Sequence, residues 1–234
     1  MEDTQKQAVG TISSGLLPDT LVLKAIDFVY MQLSAWRDDP SRPNEQTENK
    51  LNLQLCKFLN SRARNDFPMV LFEHEEYQVG HAVVDISALP AETTTIGAKI
   101  YAIYDPIIVL ECKRLPAPSR DRETEYVTGG TENQGGGIQR FKLGLHGANH
   151  DIAAMIGYLQ ANTPNYWFNE INKWIIQLSN GTLKDVCVWN TTEMLEGFKE
   201  DPNQGIATCR SIHDRNGRVQ SKISIFHLWV KMSN

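Results

Sequence analysis

A run of apolar residues that ends in charged ones places the strongest constraint on how this chain folds. Residues 107–113 have the sequence Ile-Ile-Val-Leu-Glu-Cys-Lys. Side chains alternate between the two faces of a strand, so Glu111 and Lys113 project in the same direction while Cys112 points into the opposite layer. An acid and an amine on one face of a buried strand indicate a site at the edge of a sheet.

The Glu-x-Lys pattern carries little weight by itself. It is short enough to occur about once by chance in a chain of this length, and it occurs a second time at Glu48-Asn49-Lys50. The second copy lies in a helical pattern, in which an apolar stripe over residues 51–59 is extended by one turn to Glu48. Glu111-Cys112-Lys113 differs from this second copy because it ends an apolar, strand-like run.

Hydrophobic periodicity predicts an α/β fold with a mixed central sheet flanked by helices. Glycine-rich, non-periodic residues 116–137 predict a mobile loop. Residues 206–212 and 219–232 flank Asn216-Gly217, which predicts a C-terminal β-hairpin that extends the sheet. Strands are expected over residues 69–77, 82–86 and 101–113. A first helix is expected to begin at Pro18-Asp19 and to end before Pro40, and a second to begin near Asn44. Further helices are expected over residues 138–145 and 151–160 and after Thr163-Pro164.

Length and composition favour one domain over residues 1–234, with an N-terminal helical part (1–43), a core (44–160) and C-terminal helices and hairpin (161–234). No apolar run reaches the roughly 20 residues of a membrane span, and residues 1–10 are polar, so we expect a cytoplasmic protein without a membrane segment. The four scattered cysteines predict buried free thiols. His146 and His150 are four apart, but Gly147 and Asn149 weaken the helix that would align them as metal ligands.

Asp85 adds a second acid to the predicted site. It is the one charged residue in the short apolar run 82–86, where a buried acid needs a compensating partner. If that run pairs with the next strand, Asp85 and Glu111 share a divalent cation, and the backbone carbonyl of Cys112 lies beside them. All-oxygen ligation suits Mg²⁺ or Mn²⁺, and Lys113 would orient or deprotonate the attacking water.

This order of residues resembles the PD-(D/E)xK nuclease superfamily over roughly residues 44–160, although Val84 stands where the family name has proline. The resemblance implies a restriction-endonuclease-like, three-layer fold, with Asp85, Glu111 and Lys113 as the catalytic set. In that family an acid from the preceding helix often joins the metal site, which here favours Glu48 over Glu45. The implied activity is magnesium-dependent cleavage of DNA in restriction or phage defence, with RNA as an alternative substrate.

Basic and glycine-rich residues predict the nucleic-acid contacts. Glycines leading into a helix bring backbone N–H groups close to phosphate, with Gln139 and Arg140 adding side-chain donors. Arg140, Lys142 and Arg114 belong to a local cluster of positive charge in a chain whose formal net charge is −5. Gln139 is a supporting candidate for the catalytic set. Because no reading helix is evident, a protein partner or a homo-oligomer would supply specificity.

Two other functions remain open from the sequence. A non-catalytic subunit would keep the nuclease-like fold for nucleic-acid binding or assembly. A metal-independent hydrolase would use Asp85 and Glu111 as a carboxylate pair, as glycosidases do. Metal-dependent cleavage that requires Glu111 and Lys113 separates the nuclease from both.

Overall fold

The computed structural model describes residues 20–78, 82–96, 99–215 and 221–232. The predicted helix start at Pro18-Asp19, the predicted turn at Asn216-Gly217 and the polar N-terminus lie outside these residues. The elements are α1 (Thr20–Arg37), α2 (Glu48–Asp66), β1 (Val70–Tyr77), β2 (Val83–Pro90), β3 (Thr94–Ile96), β4 (Lys99–Tyr101), β5 (Ile108–Leu115), α3 (Gly137–Leu143), β6 (Ile152–Leu159), α4 (Pro164–Ser179), β7 (Glu196–Asp201), β8 (Ile206–Asp214) and β9 (Lys222–Lys231).

Seven strands form one mixed sheet, in the order β1-β2-β5-β6-β9-β8-β7. The three central strands β5, β6 and β9 run parallel, whereas the outer pairs at both edges run antiparallel. Strand β9 joins the predicted C-terminal hairpin to the centre of the sheet through its pairing with β6. The predicted α/β fold with a mixed sheet is therefore confirmed, and the hairpin extends the sheet as expected.

Helices cover both faces of this sheet because its central strands are apolar on both sides. Leu110 and Cys112 of β5 pack with α1 and α2 in one buried cluster. Val109, which precedes Leu110 and points to the other face, packs with α3 and α4 in a second cluster. Glu111 and Lys113 share the face of Val109 by alternation, so they lie between the sheet and the α3 layer.

The amphipathic helices follow their sequence patterns. Helix α1 ends at Arg37, before Pro40, and α4 begins after Thr163, whose side chain accepts a hydrogen bond from the Tyr166 backbone N–H. Helix α2 begins at Glu48 rather than near Asn44. The five tryptophans are buried, and so are the four cysteines, which are free thiols as the sequence predicted.

The predicted helix over residues 151–160 is wrong, because this segment is strand β6. Ala153, Ala154, Met155 and Ile156 are all fully buried, so β6 contacts helices on both faces of the sheet. A strand buried on both sides has no polar alternation, and its short apolar run matches a buried helix equally well.

The predicted strand over residues 101–113 is in fact two elements with a turn between them. Among the described residues, strand β4 pairs with β3 in a separate two-stranded sheet. The side chain of Asp105 then accepts a hydrogen bond from the Ala102 backbone N–H at 2.8 Å and closes a turn before β5. The turn covers residues 102–105, and β5 begins at Ile108.

The long loop over residues 116–136 is irregular, apart from a 3-10 turn at Arg120–Arg122, but its second half belongs to the core rather than being free to move. Tyr126 and Val127 are buried against the sheet. The Trp229 indole N–H donates to the Tyr126 hydroxyl at 2.9 Å, and that hydroxyl lies 2.8 Å from Nδ1 of His227.

The contact with His227 continues as a line of polar groups, the buried hydrogen-bond chain, which joins Trp229, Tyr126, His227, Ser211 and His213. The Ser211 hydroxyl lies 2.8 Å from Nε2 of His227 and 2.7 Å from Nε2 of His213. The indole of Trp229 can only donate a hydrogen bond. If every donor points the same way along this series of contacts, each hydroxyl and each imidazole accepts one hydrogen bond and donates the next. The loop is therefore anchored to β8 and β9.

Candidate active site

Strands β2 and β5 separate at Asp85, and this opens the candidate site. Their backbones pair up to Ile86, which lies opposite Leu110, and not beyond it. From there the Asp85 carboxylate replaces the backbone, accepting a hydrogen bond from the Cys112 N–H at 2.7 Å. The edge of β5 beyond Leu110 is thus left for side chains to occupy.

Glu48 satisfies the next backbone N–H along the same edge. Its Oε2 accepts a hydrogen bond from the Arg114 N–H at 3.1 Å, and its Oε1 lies 3.1 Å from Nζ of Lys113. The N–H and C=O of one strand residue point to the same side, so the carbonyl of Cys112 faces the gap between Asp85 and Glu48. The structure therefore brings the first turn of α2 to the site, as the apolar stripe predicted.

Glu111 lies at the centre of the cluster and is fully buried. Its Oε1 lies 3.0 Å from Nζ of Lys113 and 2.7 Å from Nη1 of Arg140. Its Oε2 lies 2.9 Å from Nδ1 of His146, in an orientation that does not form a hydrogen bond. Glu111 and Lys113 share one face, as the strand pattern predicted, and Arg140 from α3 completes the cationic side.

Burial and mutual repulsion act on the two strand carboxylates in different ways. Burial raises the pKa of Asp85, and the negative charge of Glu111 raises it further. Burial would also raise the pKa of Glu111, but Lys113, His146 and Arg140 outweigh burial and lower it. Glu111 is therefore the charged member, and Asp85 needs additional positive charge to ionise fully.

Lys113 is an ammonium in this setting. Burial would lower its pKa, but the charges of Glu111 and Glu48 outweigh that effect and raise it. A lysine that holds its proton donates hydrogen bonds. The ammonium of Lys113 is therefore placed to orient a water, and its role in deprotonating one stays a prediction.

The oxygen donors at the site fit a hard divalent cation. Asp85, Glu111 and the Cys112 carbonyl supply only oxygen, and Oε2 of Glu111 is a buried acceptor without a hydrogen bond. A cation there would also reduce the repulsion that raises the pKa of Asp85. Within the described residues, no three ligating side chains of His, Cys, Asp or Glu already surround one point, so the fit rests on two carboxylates and one carbonyl.

Gln139 does not belong to this cluster, which corrects its assignment as a catalytic candidate. Its Oε1 accepts hydrogen bonds from the backbone N–H groups of Gly129 and Gly136, at 3.1 and 3.2 Å. Its Nε2 donates to the Gly130 carbonyl and to the Asp185 carboxylate. All of its amide groups hold the glycine loop in shape, and none of these bonds reaches Glu111.

Lys142 is also wrongly assigned by the sequence, which predicted that it contacts nucleic acid. Only 2% of its side chain is exposed, and its Nζ pairs with both carboxylate oxygens of Glu193 at 2.5 and 2.7 Å. The ammonium also lies 4.7 Å from the centre of the Trp189 ring. A buried cation with these partners cannot reach a phosphate.

Arg140 and Arg114 keep access to the neighbourhood of the site. The Arg140 side chain is 29% exposed while it contacts Glu111. Arg114 projects to the opposite face of the sheet, where its Nη1 donates to the Gln46 carbonyl at 3.2 Å. Its Nε is buried without a hydrogen bond. Both arginines thus stay candidates for phosphate contacts.

His146 is the site residue that the sequence did not identify. Helix α3 ends at Leu143, its C-cap residue Gly144 has φ 65°, a conformation that favours glycine, and the chain then folds back toward β5. His146 reaches Glu111, whereas Nε2 of His150 contacts the Pro106 carbonyl at 3.0 Å. The two histidines serve different places, which a shared helical face would not predict. A glycine directly after a short helical pattern was the available signal.

Comparison of the chain with protein-family models, with curated proteins and with solved structures found no match. Among the described residues, no helix is long and apolar enough to cross a membrane.

Proposed function

We propose that this protein is a metal-dependent nuclease of the restriction-endonuclease-like kind that hydrolyses phosphodiester bonds of DNA. The observation that carries the proposal is the meeting of Asp85, Glu48, Glu111 and Lys113 at the open edge of β5. These residues come from a helix and two strands in the order that resembles the PD-(D/E)xK superfamily. A cytoplasmic role in restriction or phage defence is the setting that the resemblance implies.

The proposed metal is Mg²⁺ or Mn²⁺, held by Asp85, Glu111 and the Cys112 carbonyl, with Glu48 as a further carboxylate. Such a cation lowers the pKa of bound water and neutralises charge on the phosphate that is attacked. The chain itself contributes acceptor oxygens whose positions are fixed by β5 and by the first turn of α2. Because Asp85 and Glu48 already bind backbone N–H groups, they are held in place before any ligand arrives.

Lys113 and Arg140 would act on the phosphate and the attacking water as fixed cations. Lys113 is tied between Glu111 and Glu48, so its ammonium is positioned at 3.0 and 3.1 Å from their oxygens. Arg140 contacts Glu111 from the other side and is partly exposed, so its remaining guanidinium N–H groups can bind a phosphate oxygen. Donors placed in advance where negative charge develops are worth about 100- to 1000-fold in rate.

The test is a cleavage assay on linear, circular and single-stranded DNA and on RNA, with Mg²⁺, Mn²⁺, Ca²⁺ or EDTA. We expect cleavage that depends on Mg²⁺ or Mn²⁺ and falls by at least about 100-fold in Glu111→Gln and Lys113→Met. Glu48→Gln should also lose activity, whereas Glu92→Gln, an exposed acid that follows β2, is the matched control and should retain it. Circular dichroism and thermal unfolding verify that each variant folds.

The outcomes separate the nuclease from its alternatives. Full activity in folded Glu111→Gln or Lys113→Met would contradict the proposed site. Binding of nucleic acid without cleavage under any metal condition would instead support a non-catalytic subunit. Hydrolysis that persists in EDTA would favour a carboxylate pair that acts without metal.

A further inference from the structure

A second feature of the molecule, outside the candidate active site, is a cavity with basic and aromatic side chains in its lining. It lies along the outer face of α2 and has a volume of about 610 Å³. Ligand cavities for small molecules fall between about 300 and 1,000 Å³, so this one accommodates a nucleotide. The residues that give it its character are Trp36, Arg42, Lys50, Lys57, Phe58 and Arg62.

The cavity is locally positive on a negatively charged protein. Its lining has four basic and two acidic side chains, in a chain with a formal net charge of −5. Of the acids, Asp39 accepts hydrogen bonds from the backbone and hydroxyl of Ser41, and Glu45 lies 3.7 Å from Lys50. Lys57 and Arg62 form no salt bridge within the described parts of the chain. Local positive charge attracts phosphate even when the whole molecule is acidic.

Two arginines lie over aromatic rings at this cavity. The guanidinium of Arg42 lies 5.3 Å from the centre of the Trp36 ring, and that of Arg62 lies 5.0 Å from the centre of the Phe58 ring. A guanidinium group beside an aromatic ring can contact an unpaired base, and its free N–H groups can bind phosphate. Arg42 already donates from Nε to the Arg37 carbonyl and from Nη1 to Oε1 of Gln54, and its other N–H groups remain for a ligand. Bases inside a duplex are covered by their neighbours and do not present such a face.

The cavity is connected to the candidate active site through the start of α2. Lys50 lines the cavity, and Glu48, two residues earlier, contacts Lys113. Gln46 lies just before α2, and its backbone carbonyl accepts a hydrogen bond from the Arg114 guanidinium. Residues 46–50 thus contribute to the candidate site through Glu48 and to the cavity through Lys50.

We propose that this cavity binds an unpaired nucleotide of the nucleic-acid strand whose phosphodiester bond lies at the candidate active site. The inference rests on the proposed function for the identity of its ligand. It adds that the substrate is single-stranded, at least on one side of the cleaved bond. Lys57 and Arg62 contact phosphate, and the guanidinium planes stack on the base.

The experiment measures binding rather than cleavage. Fluorescence anisotropy in EDTA follows a fluorescein-labelled single strand of about 12 nucleotides, with a matched duplex and free adenosine monophosphate as competitors. The test variant is Lys57→Glu/Arg62→Glu. The matched control is Lys24→Glu/Arg64→Glu, which makes the same charge change on exposed positions of α1 and α2 that do not line the cavity.

We expect the cavity variant to bind the single strand at least about tenfold more weakly, and its salt dependence to lose about 1.4 in slope for two phosphate contacts. The control should bind within about twofold of the unmodified protein, and the duplex should compete poorly. Equal weakening in both variants, unchanged binding in the cavity variant, or competition by free nucleotide as strong as by the strand would overturn the inference.

The result is independent of whether the protein cleaves. Loss of single-strand binding in the cavity variant, in a protein that shows no cleavage with any metal, would retain the cavity and reject the nuclease. Metal-dependent cleavage together with normal binding in the cavity variant would retain the nuclease and reject the cavity. Thermal unfolding of both variants verifies that the surface substitutions leave the fold intact.

Discussion

The buried hydrogen-bond chain should make this protein sensitive to acid. His227 is fully buried, and burial together with the nearby His213 lowers its pKa from 6.5 to about 3. The unfolded chain therefore binds a proton at His227 that the folded protein excludes, so stability falls as the pH drops below about 6.5. Well below pH 6.5 each pH unit costs about 1.4 kcal/mol for one such group, which gives about 2 kcal/mol between pH 6.5, where the unfolded imidazole is half protonated, and pH 4.5.

That loss is large compared with the roughly 5 to 15 kcal/mol that stabilises a typical domain. His213 and Glu193, which lie in the same region, also make the folded protein less stable as the pH falls. Burial lowers the pKa of His213. Burial would raise the pKa of Glu193, but His213 and Lys142 outweigh it and bring the pKa to about 2. A carboxylate with a lowered pKa also loses its contribution as the pH falls.

The assay is urea unfolding at about pH 7, 5.5 and 4.5, from which the slope of the unfolding free energy against pH is obtained. His227→Gln removes the titrating imidazole and keeps a donor toward Ser211, so its slope should be smaller by up to one proton. His74→Gln is the matched control for loss of an imidazole, because His74 lies on β1 and does not belong to the buried hydrogen-bond chain. A slope in His227→Gln equal to that of the unmodified protein would refute the reasoning, whatever the absolute stability of the variant.

Three further substitutions test other parts of the structure. Lys142→Met should destabilise the protein by about 3 to 5 kcal/mol in thermal unfolding, because Glu193 remains buried without its partner. Lys142→Met/Glu193→Met should recover most of the loss. A small loss of stability in Lys142→Met alone would contradict this. Gly157→Ala should cost about 1 to 3 kcal/mol, since a Cβ there would lie 2.4 Å from Cδ1 of Trp229, and an unchanged melting temperature would argue against that close packing. Gln139→Leu should make residues 116–137 susceptible to limited proteolysis, because it leaves two backbone N–H groups without an acceptor, and equal resistance would oppose the structural role.

The sequence predicted those parts of the fold whose pattern is local. Helices α1 and α4 have one apolar face each, and the β8 and β9 pair has strand-like alternation around a turn signal. Glu111 and Lys113 were found because a strand of known period fixes which side chains share a face. Asp85 followed from the rule that a lone acid in a buried strand needs a partner.

The parts that were missed depend on contacts between distant residues. In the sequence, Lys142 looks like a surface cation, but in the fold it pairs with Glu193, which lies 51 residues later. Gln139 lies at a glycine-rich helix start that resembles a phosphate site, but Asp185 and the loop itself occupy its amide. Strand β6 has no alternation because both of its faces are covered. In each case the deciding partner comes from another layer, and periodicity within a segment cannot show it.

The arrangement of charge near the start of β2 supports the proposed metal site. Continued pairing of β2 with β5 would satisfy the N–H groups of Cys112 and Arg114 with backbone carbonyls at no electrostatic cost. Instead, two carboxylates take that place, and the charge of Glu111 beside Asp85 raises the pKa of Asp85. Carboxylates have about four lone-pair sites, so each keeps acceptor capacity after binding its N–H. A fold that keeps repelling acids together, where neutral groups would suffice, has the electrostatics expected of a site that receives a cation.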